Sequence, residues 1–532
     1  MGTSRKFQRN ALSNWKTFIV LFISVALVSA SPNSYSVQPN DVPANNANAA
    51  SKGDNSQGQG NQGQGNQDRG KSDEEHGKGA GHNGRDKANN INLNKVVALN
   101  LILNVKPTKE VEARLSKFGN VTSVVDEINA VTIRTKYGQI ASLMKLGIVT
   151  SYNEDADRAA DPTFENPDVG AATFNGASGT WNLDMINVTE GSGESTTRVI
   201  SQTGEGTYVA VLDTGLLKNW RAYFHESSIA TGYAIAFGGG GGEQGTVSTQ
   251  PNKWERDQDS HGTHVTSTIL GFNQPTRSIN GVAPDTKVIP VKVLGQSGSG
   301  WSSVVAAGIV YVANLKRGPL SNSPVVINMS LGGPVLDAME KEAIDYAIAS
   351  GVIVVASAGN SGTQGMGYPG AYAPVISVAA AGWSGEWSDV PAPGSWWRSL
   401  DVAENGTANA YITSFSSREL SGQQLDVAAP GSWIVGPYQT NGQYSWYFLG
   451  GTSMASPHVA GLVALMMQKN KTMSQGTVES KLKSSATPFA TSSSMIRSYT
   501  GGPLAPISWG SDATGSGLVN AATALASVTA LP

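Results

Sequence analysis

Ser453 is the first of four side chains in this sequence whose type and position suit acyl-transfer chemistry. It follows Gly450-Gly451-Thr452 and precedes a helical pattern that runs from Met454 to Gln468. A serine hydroxyl attacks a carbonyl carbon only when a base removes its proton, and the positive end of a helix stabilises the resulting oxyanion. Pro457 suits this helix if it falls in the first turn. Alone, such a serine is more often a helix cap, so its role depends on a base.

The candidate base is a histidine, and the larger, C-terminal part of the chain contains His225, His261, His264 and His458. His261 begins a predicted helix in Ser260-His261-Gly262-Thr263-His264-Val265, where its ring can reach a substrate. His264 lies one turn further along and His458 lies inside a helix, so we expect both to be structural. His225 lies in a polar loop without a motif. The sequence contains no cysteine, which excludes a thiol nucleophile, a disulfide framework and a cysteine-based zinc site.

Two further polar residues follow apolar segments. Asp213 comes directly after Val209-Ala210-Val211-Leu212 and precedes a turn. A carboxylate at the carboxyl end of a parallel strand can hold a histidine in one tautomer and stabilise the imidazolium, although a turn residue explains Asp213 equally well. Asn360 follows the strand that ends at Ala356, and its amide could donate to an oxyanion together with the backbone amide of Ser453. An asparagine between glycines is, by itself, usually a turn residue.

The segments that carry these residues alternate between buried strands and helices. Continuous apolar runs predict parallel strands at Tyr208–Leu212, Lys287–Leu294, Val325–Met329 and Val352–Ala356. Helical spacing predicts helices at Ser302–Leu315, Asp337–Ser350 and Ser453–Gln468. The predicted fold class is therefore α/β, with a mostly parallel central sheet and helices on both faces.

These segments resemble the subtilisin-like serine peptidases, the subtilases, whose catalytic residues follow the chain order Asp, His, Ser. The matching text is Val211-Leu212-Asp213-Thr214-Gly215, His261-Gly262-Thr263-His264-Val265 and Gly451-Thr452-Ser453-Met454-Ala455-Ser456-Pro457-His458-Val459-Ala460-Gly461. The resemblance covers roughly residues 180–532. It implies that Asp213, His261 and Ser453 are catalytic and that Asn360 belongs to the oxyanion hole. Activity is then expected to fall as His261 is protonated, below about neutral pH.

The resemblance also implies a substrate cleft. Gly298-Ser299-Gly300 is similar to one substrate-binding strand, and Ser330-Leu331-Gly332 is similar to the strand opposite. An extended peptide between them would form main-chain hydrogen bonds that depend little on its side chains. Gly367 matches the floor of the primary specificity pocket, where glycine leaves room for a large apolar side chain. The implied activity is that of an endopeptidase of broad specificity, with a preference for a large apolar residue before the scissile bond.

No cofactor is expected to take part in this chemistry. The resemblance alone implies structural calcium, but no acidic loop in the sequence has the spacing of metal ligands. We therefore assign no metal-binding residue from the sequence.

Three segments precede the predicted peptidase domain, residues 175–532. Residues 1–30 predict a cleaved signal peptide, because a basic start leads to an apolar run shorter than the roughly 20 residues of a spanning helix. Residues 31–93, rich in Asn, Gly, Gln and Ser, predict a disordered low-complexity linker. Residues 94–158 predict a ferredoxin-like βαββαβ unit, which resembles the family's propeptide, an inhibitor and folding chaperone. Autocleavage is expected between about Asp157 and Asn175. The closing segment 515–520 resembles the end of the family's domain, so no further domain is expected after it.

The formal net charge of −3 gives no basic surface for nucleic acid. The predicted partners are polypeptide substrates and the chain's own propeptide, which acts as an intramolecular inhibitor. We expect a secreted monomer with no stable membrane anchor and no nucleic-acid partner.

The sequence also bears on alternative functions. Asp213-Thr214-Gly215 also fits an aspartic protease, but that chemistry needs two carboxylates and no second such motif occurs. The absence of Gly-x-Ser-x-Gly argues against an α/β-hydrolase. A catalytically silent binding protein that keeps the fold stays open. So do two roles for the tryptophan-rich segment 383–410, which either extends the leaving-group side of the cleft or caps the surface.

Overall fold

The computed structural model describes residues 92–160, 164–166, 180–192, 195–237, 247–274, 277–383, 410–438, 445–497 and 504–531. The predicted signal peptide and nearly all of the predicted linker lie outside these residues. Most of the tryptophan-rich segment 383–410, with Trp387, Trp396 and Trp397, also lies outside them. Within the described residues, no helix has both the length and the apolar character needed to cross a membrane.

The first described region is a four-stranded antiparallel sheet with two helices. Its elements are β1 (Val96–Leu103), α1 (Lys109–Leu115), β2 (Gly119–Val125), β3 (Ala130–Lys136), α2 (Ile140–Met144) and β4 (Val149–Glu154). The spatial order β2-β3-β1-β4 is that of a ferredoxin-like unit. Leu99, Leu101 and Ile133 pack in its own core. Asn100 and Thr132 alternate with them and are also fully buried, on the opposite face of the sheet.

The other elements follow in chain order. The strands are β5 (Asp157–Ala159), β6 (Phe164–Asn166), β7 (Thr189–Ser192), β8 (Ser195–Arg198), β9 (Tyr208–Asp213), β10 (Ile235–Ala236), β11 (Gly271–Gln274), β12 (Arg277–Asn280), β13 (Lys287–Lys292), β14 (Ser299–Trp301), β15 (Val325–Met329), β16 (Ile353–Ser357), β17 (Ile376–Trp383), β18 (Ala410–Ile412), β19 (Val427–Pro430), β20 (Ile434–Pro437), β21 (Trp446–Gly450), β22 (Ser493–Arg497) and β23 (Leu504–Ser508). The helices are α3 (Trp181–Met185), α4 (Pro251–Trp254), α5 (His261–Leu270), α6 (Ser302–Arg317), α7 (Ala338–Ala349), α8 (Thr452–Lys469), α9 (Gln475–Ser485), α10 (Ser511–Thr514) and α11 (Ala521–Ser527).

An eight-stranded sheet forms the centre of this larger region. Its order is β10-β13-β9-β15-β16-β17-β18, and β19 also pairs with β17. The pairings are parallel except for that of β17 with β18. The predicted fold class is confirmed, and the four apolar runs all form strands of this sheet.

Alternate residues of β9 face two different cores. Val209 and Val211 pack in the core that contains residues of α5 and α8, whereas Ala210 and Leu212 pack in the core that contains residues of α6 and α7. Each fully buried Val or Leu side chain stabilises the fold by about 1.5–3 kcal/mol. Because both faces of β9 are covered, its carboxyl end is held rigidly at the edge where α/β enzymes place their chemistry.

Candidate active site

Asp213 and His261 are in direct contact. Asp213 is the last residue of β9 and His261 the first residue of α5. The Nδ1 atom of His261 lies 2.9 Å from Oδ1 and 3.0 Å from Oδ2 of Asp213, and both side chains are fully buried. Because a carboxylate only accepts hydrogen bonds, Nδ1 carries the proton and Nε2 is the basic nitrogen.

The glycine after His261 permits this contact. A Cβ atom at Gly262 would lie 2.4 Å from the carbonyl oxygen of Gly215 and 3.2 Å from the Cβ of Asp213. The Gly262 amide donates to Oγ1 of Thr214 at 2.9 Å. The strand and the helix can therefore approach each other only when this position has no side chain, which explains the His-Gly pair of the motif.

The charges around His261 favour its protonated form. Burial lowers its pKa, but the charge and hydrogen bond of Asp213 and the charges of Asp259 and Asp257 raise the pKa by more than burial lowers it. The pKa of His261 is therefore raised to about 9. Asp257 is itself buried, which raises its pKa to about 6 against the opposing charge of Lys292. The raised pKa of His261 therefore predicts a midpoint of activity at a higher pH than the neutral value expected from the sequence.

Ser453 lies in the first turn of α8, which packs against α5. Its side chain is buried with 3% of its surface exposed, and its Oγ donates to the carbonyl oxygen of Ser330 at 3.2 Å. The Nε2 atom of His261 is buried and has no hydrogen-bond partner within the described part of the chain. The structure thus joins Asp213 to His261 but does not join His261 to Ser453. The hydrogen bond between a nucleophilic serine and its histidine base is often long in the free enzyme and shortens only in the substrate complex.

Pro457 is the sixth residue of α8 and not part of its first turn, so the predicted reason for its tolerance is wrong. Proline has no N–H to donate to the carbonyl oxygen four residues earlier, which belongs to Ser453. The hydroxyl of Ser330 donates to that oxygen instead, at 2.7 Å. The two serines therefore exchange hydrogen bonds, which attach the start of α8 to the end of β15.

Asn360 is oriented by the residue that precedes the candidate nucleophile. Its Oδ1 accepts from the backbone N–H of Thr452 at 2.9 Å and from its hydroxyl at 3.0 Å. The amide oxygen is thereby used toward α8, which leaves the Nδ2 group as the donor side of the amide. A donor from Asn360 and the N–H of Ser453 at the helix N-terminus would together form an oxyanion hole.

Replacing Asn360 with alanine is expected to lower kcat about 100- to 1,000-fold while KM changes little, because the donor acts on charge that exists only in the transition state. This is the range measured for such a donor in a subtilisin. Steady-state kinetics on a chromogenic peptide measure it. Asn314→Ala, on the exposed side of α6, is the matched control. If KM rose by this factor while kcat stayed unchanged, the assignment of Asn360 to the oxyanion hole would be contradicted.

The other histidines have structural environments. His264 Nε2 donates to the carbonyl oxygen of Ile434 at 3.0 Å, and burial lowers the pKa of His264 to about 3. His458 Nδ1 donates to the carbonyl oxygen of Met454 at 2.8 Å while its Nε2 contacts Asn182 at 2.8 Å. Burial lowers the pKa of His458 to about 4. Both rings are therefore neutral, and His225 is exposed in its loop.

The two predicted substrate-binding strands enclose a segment of this chain. β5 pairs antiparallel with β14, which contains Ser299 and Gly300. Ala159 exchanges main-chain hydrogen bonds of 3.0 Å with Gly332, and the N–H of Ala160 donates to the carbonyl oxygen of Gly298 at 2.8 Å. Residues 157–160 thus form the middle strand between residues 298–301 and Gly332.

A second segment lies along the strand that leads to Ser453. β6 pairs antiparallel with β21, with Phe164 opposite Gly450 and Glu165 opposite Leu449. Ala160 and Phe164, on either side of residues 161–163, are therefore held by different segments, Ala160 by Gly298 and Phe164 by Gly450, three positions before the candidate nucleophile.

Gly367 lies beside the wall strand. Its N–H donates to the carbonyl oxygen of Ala358 at 2.8 Å. An added Cβ would lie no closer than 3.5 Å to its nearest neighbour, the carbonyl oxygen of Gly333. Glycine is therefore not required there by backbone packing, and Leu331 of the same wall is buried. That Gly367 forms the pocket floor stays a prediction.

The structure offers no metal centre within its described ranges, where no three His, Asp or Glu side chains are grouped so that they could hold an ion. The calcium implied by the resemblance finds no donor set there, and no step of the chemistry is assigned to a metal.

Several residues that shape this site were not singled out from the sequence. They are Asp257, Lys292, Thr452 and the hydroxyl group of Ser330. Asp257 and Asp259 precede His261 closely enough that an acidic flank could have been noticed. Lys292 ends β13, and its Nζ donates to the carbonyl oxygen of Thr214, a contact between strands that no local pattern indicates.

Several known proteins are similar to this chain. Residues 204–513 match the family model Peptidase_S8, described as the Subtilase family. Subtilisin DY of Bacillus licheniformis is 37% identical over 240 residues, which cover 44% of this chain and 73% of that protein. Subtilisin of Bacillus pumilus is 34% identical over 294 residues, which cover 54% of this chain and 87% of that protein. The solved structure of fervidolysin from Fervidobacterium pennivorans, titled a keratinolytic enzyme related to subtilisin, has a TM-score of 0.58 at 24% identity, covers 81% of this chain and 61% of its own, and shows a shared fold.

Proposed function

Because this chain belongs to the subtilase family and is a serine endopeptidase, we propose that it hydrolyses peptide bonds through Ser453, His261 and Asp213. The observation that carries this proposal is the contact of His261 Nδ1 with both carboxylate oxygens of Asp213, at 2.9 and 3.0 Å. It supports Nε2 as the nitrogen that acts as the base. Family membership also makes a catalytically silent binding protein the weaker reading.

The proposed reaction proceeds through an acyl-enzyme. Ser453 Oγ turns away from Ser330, gives its proton to Nε2 of His261 and attacks the substrate carbonyl carbon. The Nδ2 of Asn360 and the N–H of Ser453 receive the oxyanion. The imidazolium then protonates the leaving amine, and water hydrolyses the ester with His261 again as the base. Cleavage of casein, and its loss after treatment with a serine-directed reagent, test this proposal.

We also propose that the enzyme is made as a secreted precursor, with residues 1–30 as the signal peptide, 31–93 as a linker and 94–158 as the inhibitory propeptide. The mature enzyme then contains the predicted domain, residues 175–532, preceded by the residues between the maturation bond and residue 175. The support comes from β5, which occupies the substrate cleft as a middle strand. A segment bound there excludes other peptides until it is cut and released.

The ferredoxin-like region contributes caps to two peptidase helices. Asp155 accepts from the N–H of Ser303 at 2.9 Å and from its hydroxyl at 2.6 Å, at the start of α6. Asn153, on β4, accepts from the N–H of Ala338, the first residue of α7, at 2.8 Å, and Asn100, on β1, donates to Asp337, the N-cap of α7, at 2.8 Å. Groups that satisfy the first turns of both helices would help these helices to form, which supports a chaperone role.

The maturation bond is expected between Ala160 and Phe164, because Ala160 pairs with the wall strand at Gly298 and Phe164 pairs with Gly450, just before Ser453 in the chain. This narrows the interval predicted from the sequence. Amino-terminal sequencing of the secreted protein measures it, and a mature chain that begins at residue 161, 162, 163 or 164 is the expected result. A first N-terminus outside this interval would show that the segment in the cleft is not the one cut.

Broad specificity with a large apolar residue before the scissile bond is part of the same proposal. The breadth of the specificity is supported by the main-chain hydrogen bonds of Gly298 and Gly332 to the bound segment, which do not depend on its side chains, whereas the apolar preference rests on the resemblance alone. A peptide library with one randomised position would measure the preference.

A further inference from the structure

Arg158, at the centre of β5, has a fully buried guanidinium. Its Nε lies 3.0 Å and its Nη2 2.6 Å from the two carboxylate oxygens of Glu340, in the first turn of α7. Both side chains have no exposed surface. The pair is bidentate, which is the strongest arrangement that arginine and a carboxylate form.

The peptidase region builds the pocket around this side chain. Nη2 also donates to the carbonyl oxygen of Val335 at 3.0 Å, and a Cβ atom at Gly333 would lie 2.7 Å from Nη1. Apart from the carbonyl oxygen of Asp157, which accepts from Nη1 at 2.8 Å, these groups lie between residues 333 and 340. The pocket therefore stays with the enzyme when the segment in the cleft leaves.

We propose that Glu340 makes this pocket a selective site for an arginine side chain of the substrate. The inference rests on the proposed function and names a substrate class for it: polypeptides with an arginine at a defined position before the cut. An uncharged side chain in the pocket would leave the Glu340 carboxylate buried and unpaired, which is costly. Lysine would satisfy it less well, because it presents one point charge and cannot bond to both oxygens at once.

The register of the strands gives the position of that arginine. Gly332 lies opposite Ala159, the residue after Arg158. In a substrate bound in the same antiparallel register, the residue three positions after the arginine lies opposite Ser330, whose carbonyl oxygen contacts Ser453 Oγ. Cleavage is therefore expected after the third residue that follows the arginine, in sequences of the form Arg-x-x-x.

The test compares kcat/KM of the mature enzyme on three acetylated p-nitroanilides, with Arg, citrulline or Leu before the common sequence Ala-Ala-Phe. Citrulline keeps the shape of arginine without its charge. The arginine peptide is expected to be cleaved about 100-fold better than either of the others, a ratio in the range for one missing partner of a buried pair. Equal rates on the arginine and citrulline peptides would overturn the inference.

Variants assign the preference to one side chain. Glu340→Gln is expected to reduce the ratio to within about threefold, whereas Glu342→Gln, at a half-exposed position on the same helix, is expected to keep it. If Glu340→Gln does not mature, the same ratio is measured with the double variant R158Q/E340Q, whose precursor contains a matched uncharged pair. A full arginine preference in a mature Glu340→Gln enzyme would assign it to another group and overturn the inference.

The outcome separates this inference from the proposed function. Cleavage of casein and of all three peptides at one rate would refute the arginine pocket and leave the peptidase mechanism intact. Failure to cleave any of them, with Ser453 unreactive, would refute both.

Discussion

The variant Ser453→Ala is expected to lose about a millionfold in kcat, the loss measured when the nucleophile of a subtilisin is removed. Without the hydroxyl no acyl-enzyme can form, and His261 has no proton to transfer. The same change is expected to stop maturation, so that the full-length chain accumulates with residues 157–160 in the cleft. Casein hydrolysis and the mass of the expressed protein measure the two effects.

Ser456→Ala is the control for this experiment. Ser456 lies one turn further along α8 and donates to Asn328 at 2.8 Å, so its loss affects packing near the site without removing a reacting group. It is expected to mature and to cleave casein. If Ser453→Ala cleaved casein at the parent rate and matured normally, the proposed nucleophile would be wrong.

Replacing Asp213 with asparagine is expected to lower kcat about 10,000-fold, as measured for the corresponding change in a serine peptidase triad. The amide of asparagine can donate to Nδ1, which favours the tautomer with its proton on Nε2 and removes the base. Steady-state kinetics on a peptide anilide at alkaline pH measure the loss. Asp345→Asn, a partly exposed carboxylate on α7, is the control and is expected to behave as the parent.

The pH profile provides a second readout of Asp213. His261 must be neutral to act as a base, and its pKa is raised to about 9. The kcat/KM of the parent enzyme should therefore fall as pH decreases through about 9. In the residual activity of Asp213→Asn the midpoint should move to lower pH, because the carboxylate that most raises the pKa is gone. A midpoint unchanged by the substitution would contradict the role given to Asp213.

Much of the fold could be predicted because its strands are buried on both faces. The run Val325–Met329 was expected as a strand and forms β15 with the same bounds. Parallel strands covered on both faces need continuous apolar residues, and that pattern is local. The order of elements between residues 96 and 154 was also readable, since each strand and helix there shows its own period.

The candidate catalytic residues were predicted from motifs in which glycine, proline and polar residues stand at fixed spacing. What the sequence did not reveal are contacts between distant segments. Arg158 meets Glu340 across 182 positions, and a glutamate in the first turn of a helix is ordinary by itself. The raised pKa of His261 also depends on the folded chain, because burial lowers it while Asp213, 48 positions earlier, raises it by charge and hydrogen bond together with Asp259 and Asp257.

The most direct test of the proposed mechanism is to map the site at which a serine-directed organophosphorus reagent modifies the mature enzyme. Complete loss of casein hydrolysis is expected at one adduct per chain, with the adduct on Ser453 in the digested protein. The Ser453→Ala protein is expected to take up no reagent. An adduct on another residue, or full activity when Ser453 is fully modified, would contradict the account.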